Sequence, residues 1–511
     1  MTSTTLSTER PDSDLPERVH VLVVGAGFAG LGTAIKLDEH GFGDFLVLDK
    51  GQTVGGTWRD NTYPGAACDV PSQLYSFSFA PNPHWTRSFS PQREIQAYLQ
   101  RVARESGTLD RFRFGTTVEQ AAWDDEARAW TVTTSAGTLL ADVLVTGSGG
   151  LSEPRLPGIA GIDSFTGEVF HSSRWNHDYD LTGRRVAVIG TGASAIQIVP
   201  AIAERVGHLD VYQRTAPWVM PRSDRAYTAV ERLGFRFLPG LQRLYRTGVY
   251  WGREGYVPAF TLAPGLAAPA EKIAARHIAS GISDPALRAQ VTPDYRLGCK
   301  RVLISNDYYP ALDRDDVDLV TDGIREITPT GIVTADNTER EVDCLIVATG
   351  FHTTDQPIAH HLKGSDGRSL ADAWRESGMV AYKGTTVAGF PNLFQIVGPN
   401  TGLGHSSMVF VIESQIAYIL GALRAMGELG LASIEPRADA QAVWNEALHK
   451  RMARTVWSTG GCSSWYLDEH GRNTVLWPRS TFTLRRQLGS FDPDAYVVTA
   501  RDAPTSKEDV A

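Results

Sequence analysis

Two glycine-rich turns, each between a predicted strand and a predicted helix, are the segments whose residue types best suit ligand chemistry. The first lies in VHVLVVGAGFAGLGTAIKL, where an apolar run precedes Gly25, Gly27 and Gly30. Glycines at this spacing allow a tight turn and a close backbone approach, so a pyrophosphate can bind amides at the positive end of a helix. The next apolar run ends in Asp49, whose carboxylate can accept hydrogen bonds from ribose hydroxyls. The segment therefore predicts a complete dinucleotide-binding unit.

The second turn lies in RRVAVIGTGASAIQIVPAIA, where Gly190, Gly192 and Ala195 follow another apolar run. The strand predicted after this turn ends near Arg214 instead of in an acid. An acid would favour an unphosphorylated ribose, whereas an arginine can form paired hydrogen bonds with the extra phosphate of NADP. Lys300 is a second candidate for that phosphate, and a solvated surface arginine is the alternative interpretation. The opposite charges after the two turns favour two different dinucleotides, FAD at the first and NADPH at the second.

The elements that position these turns predict an α/β fold with two Rossmann-like dinucleotide-binding domains. A later strand-to-glycine segment at 342–350 indicates where the chain crosses back to the first domain, and VLVTGSG at 143–149 is its earlier counterpart. Pro200 is expected to kink the helix after the second turn. A mostly helical, aromatic pattern indicates an insertion in the NADP-binding domain. The predicted boundaries are 1–18 for a flexible tail, 19–150 and 353–490 for the FAD-binding domain with its C-terminal loop, 151–352 for the NADP-binding domain, 216–296 for its helical insertion and 491–511 for a second tail.

Composition limits the classes of partner. The chain has 511 residues and a formal net charge of -9, which argues against nucleic acid or an anionic membrane as the main partner. The stretch at 233–260 most resembles a membrane span, but five charged residues interrupt it. The N-terminal segment lacks the basic-then-apolar order of a signal peptide, so a cytoplasmic protein is expected.

The four cysteines, Cys68, Cys299, Cys344 and Cys462, are far apart in the sequence. They form neither a CxxC pair nor a zinc-ligand spacing, so neither a disulfide nor a metal site is expected. A disulfide reductase with two dinucleotide sites would need a neighbouring redox-active pair. That class is therefore disfavoured.

A segment between the two domains carries a more specific signal. Residues 165–176 read FTGEVFHSSRWN, which resembles the FxGxxxHxxxW fingerprint of type I Baeyer-Villiger monooxygenases through Phe165, Gly167, His171 and Trp175. Asn176 stands where the family usually has Pro or Asp. Related monooxygenases that oxygenate nitrogen or sulfur usually carry Tyr or Phe at the position of Trp175. The resemblance implies linker roles for this fingerprint.

Further segments match the same family. GGTWRDNTYPGAACD, at 55–69, fits a second family motif and implies that Asp69 lies near the flavin and the site of reaction with oxygen. GCKRVLISNDYYPAL, at 298–312, resembles the loop in which the lysine, here Lys300, meets the NADP phosphate and the arginine, here Arg301, is catalytic. In the C-terminal part, GPNTGLGHSSM precedes a helix whose amides are expected to face the flavin, and Trp465 lies in a segment resembling the loop that covers cofactor and substrate.

The resulting site predictions are as follows. Catalytic roles are expected for Arg301 and Asp69. FAD binding is expected from Gly25, Gly27, Phe28, Ala29, Gly30, Asp49, Lys50, Gly56, Thr57, Trp58, Asp60, Asp69, Tyr75, Val118 and Met408. NADP binding is expected from Gly190, Thr191, Gly192, Ala193, Ser194, Ala195, Gln197, Arg214, Thr215, Lys300, Arg301 and Trp465.

The resemblance implies that the protein uses FAD, NADPH and O2 to convert a ketone to an ester or lactone through a peroxyflavin. Linear or aryl-alkyl ketones are the expected substrates. Two alternatives remain open: a flavin-containing monooxygenase that oxygenates nitrogen or sulfur, and a flavin-binding sensor without catalytic activity. The oligomeric state does not follow from the sequence.

Overall fold

A computed structural model describes residues 15–501 of the chain. Residues 1–14 and 502–511, which belong to the two expected tails, lie outside the described residues. The first part of the fold consists of β1 (Arg18–Val24), α1 (Phe28–Glu39), β2 (Phe45–Asp49), α2 (Thr57–Asp60), α3 (Gln92–Ser106), β3 (Phe112–Phe114), β4 (Val118–Asp124), β5 (Ala129–Thr134) and β6 (Gly137–Thr146). β1 pairs in parallel with β2 on one side and β6 on the other. Its buried Val21, Leu22 and Val23 place this strand in the core of the domain.

The second unit begins with β7 (Glu168–His171), β8 (Arg185–Ile189), α4 (Ala195–Ile202) and β9 (His208–Tyr212). Pro200 lies inside α4. The inserted segment contains β10 (Val219–Met220), α5 (Ala229–Phe237), α6 (Pro239–Glu254), α7 (Val257–Thr261), α8 (Ala268–Gly281) and α9 (Pro285–Gln290). These helices lie within the predicted insertion at 216–296.

The chain then returns to the second sheet through β11 (Leu303–Ile304), α10 (Tyr308–Leu312), β12 (Val317–Val320), β13 (Ile324–Thr328), β14 (Gly331–Thr334), β15 (Glu339–Glu341) and β16 (Cys344–Val347). The five-stranded sheet has the order β12-β9-β8-β16-β7 and is parallel throughout. β8 lies between β9 and β16, as β1 lies between β2 and β6. The two glycine turns therefore leave equivalent central strands.

The last part contains α11 (Pro357–His361), β17 (Leu362–Lys363), α12 (Leu370–Trp374), β18 (Leu393–Gln395), α13 (Met408–Glu428), β19 (Leu431–Pro436), α14 (Ala438–Met452), α15 (Val456–Thr459), α16 (Thr481–Gln487) and β20 (Tyr496–Ala500). β18 pairs with β6 and β17 with β4, so the chain does cross back into the first sheet. α13 is long and apolar enough to cross a membrane, but 61% of its most apolar window is buried and it packs against α1. It is therefore a core helix of the first domain.

The prediction of a tail from residue 491 onward is wrong for residues 496–500. These residues form β20, which pairs antiparallel with β19. The buried phenol of Tyr496 shares hydrogen bonds with Tyr418 at 2.8 Å and Thr386 at 2.9 Å. This buried contact holds the strand against the domain.

The expectation that no disulfide forms is also wrong. Cys299 and Cys462 are bonded to each other although 163 residues separate them. The fold brings them together because the backbone N–H of Arg296 donates to the carbonyl of Gly460, which holds the two segments side by side. Cys68 and Cys344 are buried free thiols. Sequence spacing could not reveal a pairing that depends on tertiary contacts.

The disulfide makes a testable prediction about stability. In a peptide map without reductant, Cys299 and Cys462 should be found in one linked pair of peptides. Reduction should lower the free energy of unfolding by about 2–5 kcal/mol, because the cross-link restricts the unfolded chain. Chemical denaturation of Cys299→Ala should show a similar loss that reductant does not increase. Full alkylation of both thiols without reductant would contradict the pairing.

Candidate functional site

The first glycine turn has a geometry that side chains would block. Gly25 has a φ of +105°, and a Cβ atom on Gly30 would come within 1.6 Å of the Gly25 carbonyl oxygen. No side chain caps the N-terminus of α1. The amides of its first turn therefore remain available to an anion, which fits the pyrophosphate of a dinucleotide.

The second turn repeats this arrangement. Gly190 has a φ of +116°, and a Cβ atom there would lie 2.6 Å from the carbonyl oxygen of Ala348. Gly192 and Ala193 are exposed, and Ser194 does not cap α4 with its side chain. This turn also presents free amides at the start of a helix, so the structure fits two dinucleotides.

Asp49 ends β2 and holds its surroundings through both carboxylate oxygens. One oxygen accepts from the backbone N–H of Ala26 at 2.6 Å, and the other accepts from Gly51 at 2.7 Å and from the Arg59 guanidinium at 2.8 Å. Arg59 also donates to Asp60 at 2.7 Å. Burial opposes ionisation of Arg59, but its bonds to Asp60 and Asp49 outweigh it and raise the pKa of Arg59. Sequence reasoning missed this arginine, although it lies within the matched motif.

Three predicted FAD contacts form one aromatic cluster. The indole N–H of Trp58 donates to the hydroxyl of Tyr75 at 3.0 Å, and the two rings meet edge to face. The ring of Phe28, the first residue of α1, lies 5.3 Å from Tyr75. Gly56 packs so closely on Gly27 that a Cβ atom would meet the Gly27 Cα at 3.0 Å. The second motif therefore lies directly against the first glycine turn.

Other predicted FAD contacts border this region. The N–H of Thr116 donates to the carbonyl of Asp49, which brings the loop before Val118 against the end of β2. Lys50 forms an ion pair with Glu153. Met408 is the first residue of α13. Two more predicted positions lie in helices: Ala29 is the second residue of α1, and Thr57 is the first residue of α2.

The central feature of the site is an ion pair between Asp69 and Arg301. Arg301 donates from Nε to one Asp69 oxygen at 2.8 Å, and its Nη2 lies 2.6 Å from the same oxygen. Arg253, from α6, donates to the Asp69 backbone carbonyl at 3.0 Å. Arg301 also donates to the carbonyl of Leu403 at 3.3 Å, within the loop that precedes α13. One guanidinium therefore joins segments from both domains.

In this pair, the charge of each group favours the ionised form of the other group. Burial alone would raise the pKa of Asp69, but the charge and hydrogen bonds of Arg301, with the charge of Arg253, hold that pKa below its usual range. The Asp69 carboxylate raises the pKa of Arg301 well above its ordinary value. Arg301 therefore remains a cation throughout the working pH range. The two arginines against one carboxylate leave local positive charge available to an anion.

Lys300 and Arg214 form a second cationic group. Burial and then the charge of Arg214 lower the pKa of Lys300. Neither side chain forms an ion pair with any residue that the structure describes. Arg214 is exposed after β9, at the edge beside the second glycine turn. The charge of Asp294 partly offsets that of Lys300, and two neighbouring cations without a direct ion pair among the described residues fit the ribose phosphate of NADP.

A narrow crevice, too tight to admit a water-sized molecule, adjoins the lysine and arginine pair. Its lining includes Lys300, Arg301, Phe260, Trp457 and Tyr466. The Tyr466 hydroxyl is buried beside the Arg301 guanidinium and has no acceptor among the described residues. Burial raises the pKa of Tyr466 to about 12, so the phenol keeps its proton. It is an available donor beside Arg301.

The predicted loop residue Trp465 lies differently from its neighbour. Its side chain is 43% exposed and contacts the Tyr466 ring, with the ring centroids 4.2 Å apart. Tyr466, which is 1% exposed, enters the crevice instead. Trp465 and Tyr466 are the central residues of a turn, in which the N–H of Leu467 donates to the carbonyl of Ser464, so a motif match alone did not identify which aromatic ring faces inward.

The fingerprint residues connect the two domains. The His171 ring bonds to the Gly350 carbonyl at 3.0 Å, at the point where the chain crosses back to the first sheet. Burial lowers the pKa of His171 to about 4, so this ring is neutral. Trp175 packs edge to face on Phe170. Asn176, the departure from the family pattern, donates to Glu168 at 2.7 Å and closes the segment.

The remaining fingerprint residues and the second glycine turn are held by close packing and by a hydrogen bond. A Cβ atom on Gly167 would meet the Asp343 carbonyl at 2.5 Å, and Phe165 packs in the small core beside it. Thr191 donates to the carbonyl of Thr215 at 3.3 Å, which links the turn to the end of β9. The strand end and the glycine turn therefore form one surface.

Gln197, predicted to bind NADP, is engaged with the first domain. Its amide oxygen accepts from Tyr63 at 3.1 Å, and its amide nitrogen donates to the Ala67 carbonyl at 3.0 Å. This contact holds the loop that carries Asp69 against α4. The two nucleotide-binding units are therefore coupled through the loop that carries Asp69.

One group of possible metal ligands, His208, Asp210 and Asp318, lies apart from this site. Arg340 donates to Asp210 at 3.0 Å and to Asp318 at 2.8 Å. The guanidinium occupies the place that a cation would take between the carboxylates. We therefore interpret the group as a structural ion-pair network.

Comparison with known proteins identifies the family. A family model described as "Pyridine nucleotide-disulphide oxidoreductase" matches residues 22–233. A protein from Streptomyces coelicolor named "Baeyer-Villiger monooxygenase" is 53% identical over 490 residues, covering 96% of this chain and 94% of that protein. A protein of the same name from Pseudomonas aeruginosa is 50% identical over 482 residues, covering 94% and 91% of the two chains.

Solved structures confirm the fold class. A closed crystal structure of cyclohexanone monooxygenase has a TM-score of 0.85 at 27% identity and covers 95% of this chain and 100% of that one. A crystal structure of OTEMO in complex with FAD and NADP has a TM-score of 0.83 at 28% identity and covers 94% and 99%. These similarities extend over both sheets and the insertion. Together with the relatives at half identity or more, they show that the chain belongs to the Baeyer-Villiger monooxygenase family.

Proposed function

We propose that this protein uses FAD, NADPH and O2 to insert one oxygen atom beside the carbonyl of a ketone, forming an ester or lactone. The single observation that carries this proposal is the Asp69–Arg301 ion pair at the edge of an aromatic crevice. The bound cofactors would supply hydride transfer and oxygen activation. The chain's own residues supply binding, orientation and charge.

The two glycine turns support binding of two dinucleotides. FAD is assigned to the first turn, where Asp49 and the Phe28, Trp58 and Tyr75 cluster lie nearby. NADPH is assigned to the second turn, where Arg214 and Lys300 offer unpaired positive charge. The domain division at 19–150 and 353–490 for FAD, and 151–352 for NADP, follows from the strands that carry each turn.

Arg301 is suited to hold an oxygen anion and to polarise a ketone carbonyl. A guanidinium keeps its proton at any working pH, and in a water-poor crevice its attraction for an anion is stronger than in bulk water. Asp69 fixes its orientation through one carboxylate oxygen, which accepts a hydrogen bond from Nε and forms a close ion pair with Nη2. Tyr466 can donate a further hydrogen bond because its hydroxyl is unpartnered.

The crevice supports an apolar substrate. Phe260, Trp457 and Tyr466 give it aromatic walls, and its polar side-chain groups are those of Lys300, Arg301 and the Tyr466 hydroxyl. A linear or aryl-alkyl ketone would place its carbonyl at Arg301 and its apolar part against these rings after the lining side chains move apart to admit it. Ketone-dependent NADPH oxidation under air, with mass spectrometry for one added oxygen, tests this proposal. NADPH loss that yields hydrogen peroxide and no ester with any ketone of a panel would refute it.

The first prediction here concerns Arg301. Arg301→Ala should retain bound FAD and its reduction by NADPH, yet form ester at least about 100-fold more slowly, because the anion loses its charged donor. Arg296→Ala is a matched control. Arg296 lies in the same segment as Arg301 and pairs with Glu271 of α8, but it does not line the crevice. Rapid mixing would follow flavin reduction, and gas chromatography would follow the ester. Ester formation at the wild-type rate would remove Arg301 from the reaction.

The second concerns the stability supplied by Asp69. Because the folded state lowers the pKa of Asp69, its ion pair stabilises the fold above the unfolded pKa near 4 and is lost as the pH falls through that range. At pH 7, Asp69→Asn should reduce the free energy of unfolding by about 1–3 kcal/mol, and the difference should shrink below pH 4. Urea titrations across pH measure this. The exposed Asp110→Asn should show no such pattern, and a pH-independent loss in Asp69→Asn would contradict the ion-pair explanation.

The third concerns cofactor choice. Arg214→Ala should raise the Michaelis constant for NADPH at least about tenfold more than that for NADH, because only NADPH carries the ribose phosphate. Arg205→Ala, an exposed arginine between α4 and β9, is the control. Direct titration of each nucleotide separates binding from turnover. Equal effects on the two nucleotides would show that Arg214 does not read the phosphate.

A further inference from the structure

The insertion has an exposed apolar face. Along α5 and α6 the exposed side chains include Val230, Leu233, Phe237, Leu241, Leu244 and Trp251. Their spacing of three, four and seven residues places them along one side of each helix. We call these six side chains the outer face. More than half of the large hydrophobic side chains exposed in the described chain lie between residues 230 and 273.

The side of α5 and α6 opposite to the outer face packs against the rest of the protein. Phe235 is 3% exposed and meets Tyr245 from α6, with ring centroids 5.5 Å apart. Gln242 is buried and donates to Gln73, while Arg246 donates to the Gln73 carbonyl and to Ser76. The insertion therefore does not need the outer face for its own core. Exposed apolar surface of this extent indicates an interaction site.

The charge around the outer face is opposite to that of the whole chain. Residues 229–281 contain seven basic and three acidic residues, although the complete chain has a net charge of -9. Two of the seven, Arg246 and Arg253, face the inner side, which leaves five basic residues for the outside. Arg232, Arg236 and Arg243 are exposed beside the apolar side chains. The three acids do not cancel them: Glu254 is buried, Glu231 pairs with Arg225 and Glu271 pairs with Arg296.

These features distinguish between possible partners. A symmetric dimer through the outer face would bring two positively charged patches together, because a two-fold interface joins identical surfaces. An anionic lipid bilayer meets both requirements, since apolar side chains enter its interface and arginines contact its headgroups. We propose that the outer face of α5 and α6 binds the surface of an anionic membrane.

The outer face lies close to the proposed reaction site. α6 presents Leu244 and Trp251 outward, while its Arg253 holds the backbone of Asp69 on the inner side. A membrane at the outer face would therefore lie one helix away from the proposed reaction site. Apolar ketones concentrate in bilayers, so delivery from the membrane would deepen the proposed function. The binding itself does not depend on that function.

Vesicle sedimentation of the full-length, FAD-loaded protein tests the proposal. The probes are vesicles of phosphatidylcholine alone and vesicles of phosphatidylcholine with phosphatidylglycerol. We expect sedimentation with the anionic vesicles at low salt, weaker sedimentation at high salt, and little with neutral vesicles, because exposed charges are screened by salt. Absence of binding to anionic vesicles at low salt would overturn the proposal.

Paired variants locate the contact. Leu233→Asp with Leu244→Asp, and separately Arg236→Glu with Arg243→Glu, should each reduce the bound fraction at least about tenfold. Val443→Asp with Lys450→Glu is the matched control, because both side chains are exposed on α14. Thermal melting and flavin absorbance should be unchanged in all three pairs. If the control pair lost as much binding as the two test pairs, the assignment to this face would be overturned.

Two further measurements separate the remaining outcomes. Brominated lipids should quench less fluorescence in Trp251→Phe than in the wild type if Trp251 enters the bilayer. Sedimentation velocity without vesicles reports self-association. A dimer that Leu233→Asp with Leu244→Asp converts to a monomer would make the outer face a contact between two copies and would overturn the membrane proposal. NADPH and ketone assays on the same variants distinguish failure of this proposal from failure of the proposed reaction.

Discussion

The ion pair between Asp69 and Arg301 is the interaction on which the site depends. It joins residues 232 positions apart, one from the loop after α2 and one from the segment that follows the insertion. Arg253 anchors the Asp69 backbone from α6, and Gln197 holds the same loop from α4. The position of the central charge therefore depends on both nucleotide-binding units at once, so a shift of one unit relative to the other would move the guanidinium.

The two units reach this arrangement by the same steric means. In each, a glycine in the left-handed region turns against the carbonyl of a neighbouring chain segment, Gly25 against Gly147 and Gly190 against Ala348. The close approach keeps the strand, turn and helix in register and leaves helix amides free. The charges that follow then differ, with Asp49 after the first turn and Arg214 after the second. One backbone design is thus suited to two dinucleotides.

The insertion connects the site to the outside of the molecule. Its inner side supplies Arg253 and the buried Glu254, whose carboxylate meets His405 at 3.1 Å and Thr481 at 2.5 Å. Its outer side carries exposed apolar residues and arginines. The same helices therefore stabilise the loop before α13 and present a surface for the proposed membrane contact. This double use explains why the stretch at 233–260 is apolar and yet repeatedly interrupted by charge.

What the sequence determined by itself was local: the strand–glycine–helix units, the opposite charges of Asp49 and Arg214, and the family motifs that contain Asp69 and Arg301. Such features can be predicted from the sequence because their geometry arises between residues close together in the chain. The tertiary structure alone decided that Cys299 meets Cys462, that Tyr466 and not Trp465 lines the crevice, that Arg253 reaches Asp69, and that residues 496–500 form a strand. Those outcomes depend on contacts between distant segments, whose relative positions no spacing or composition specifies.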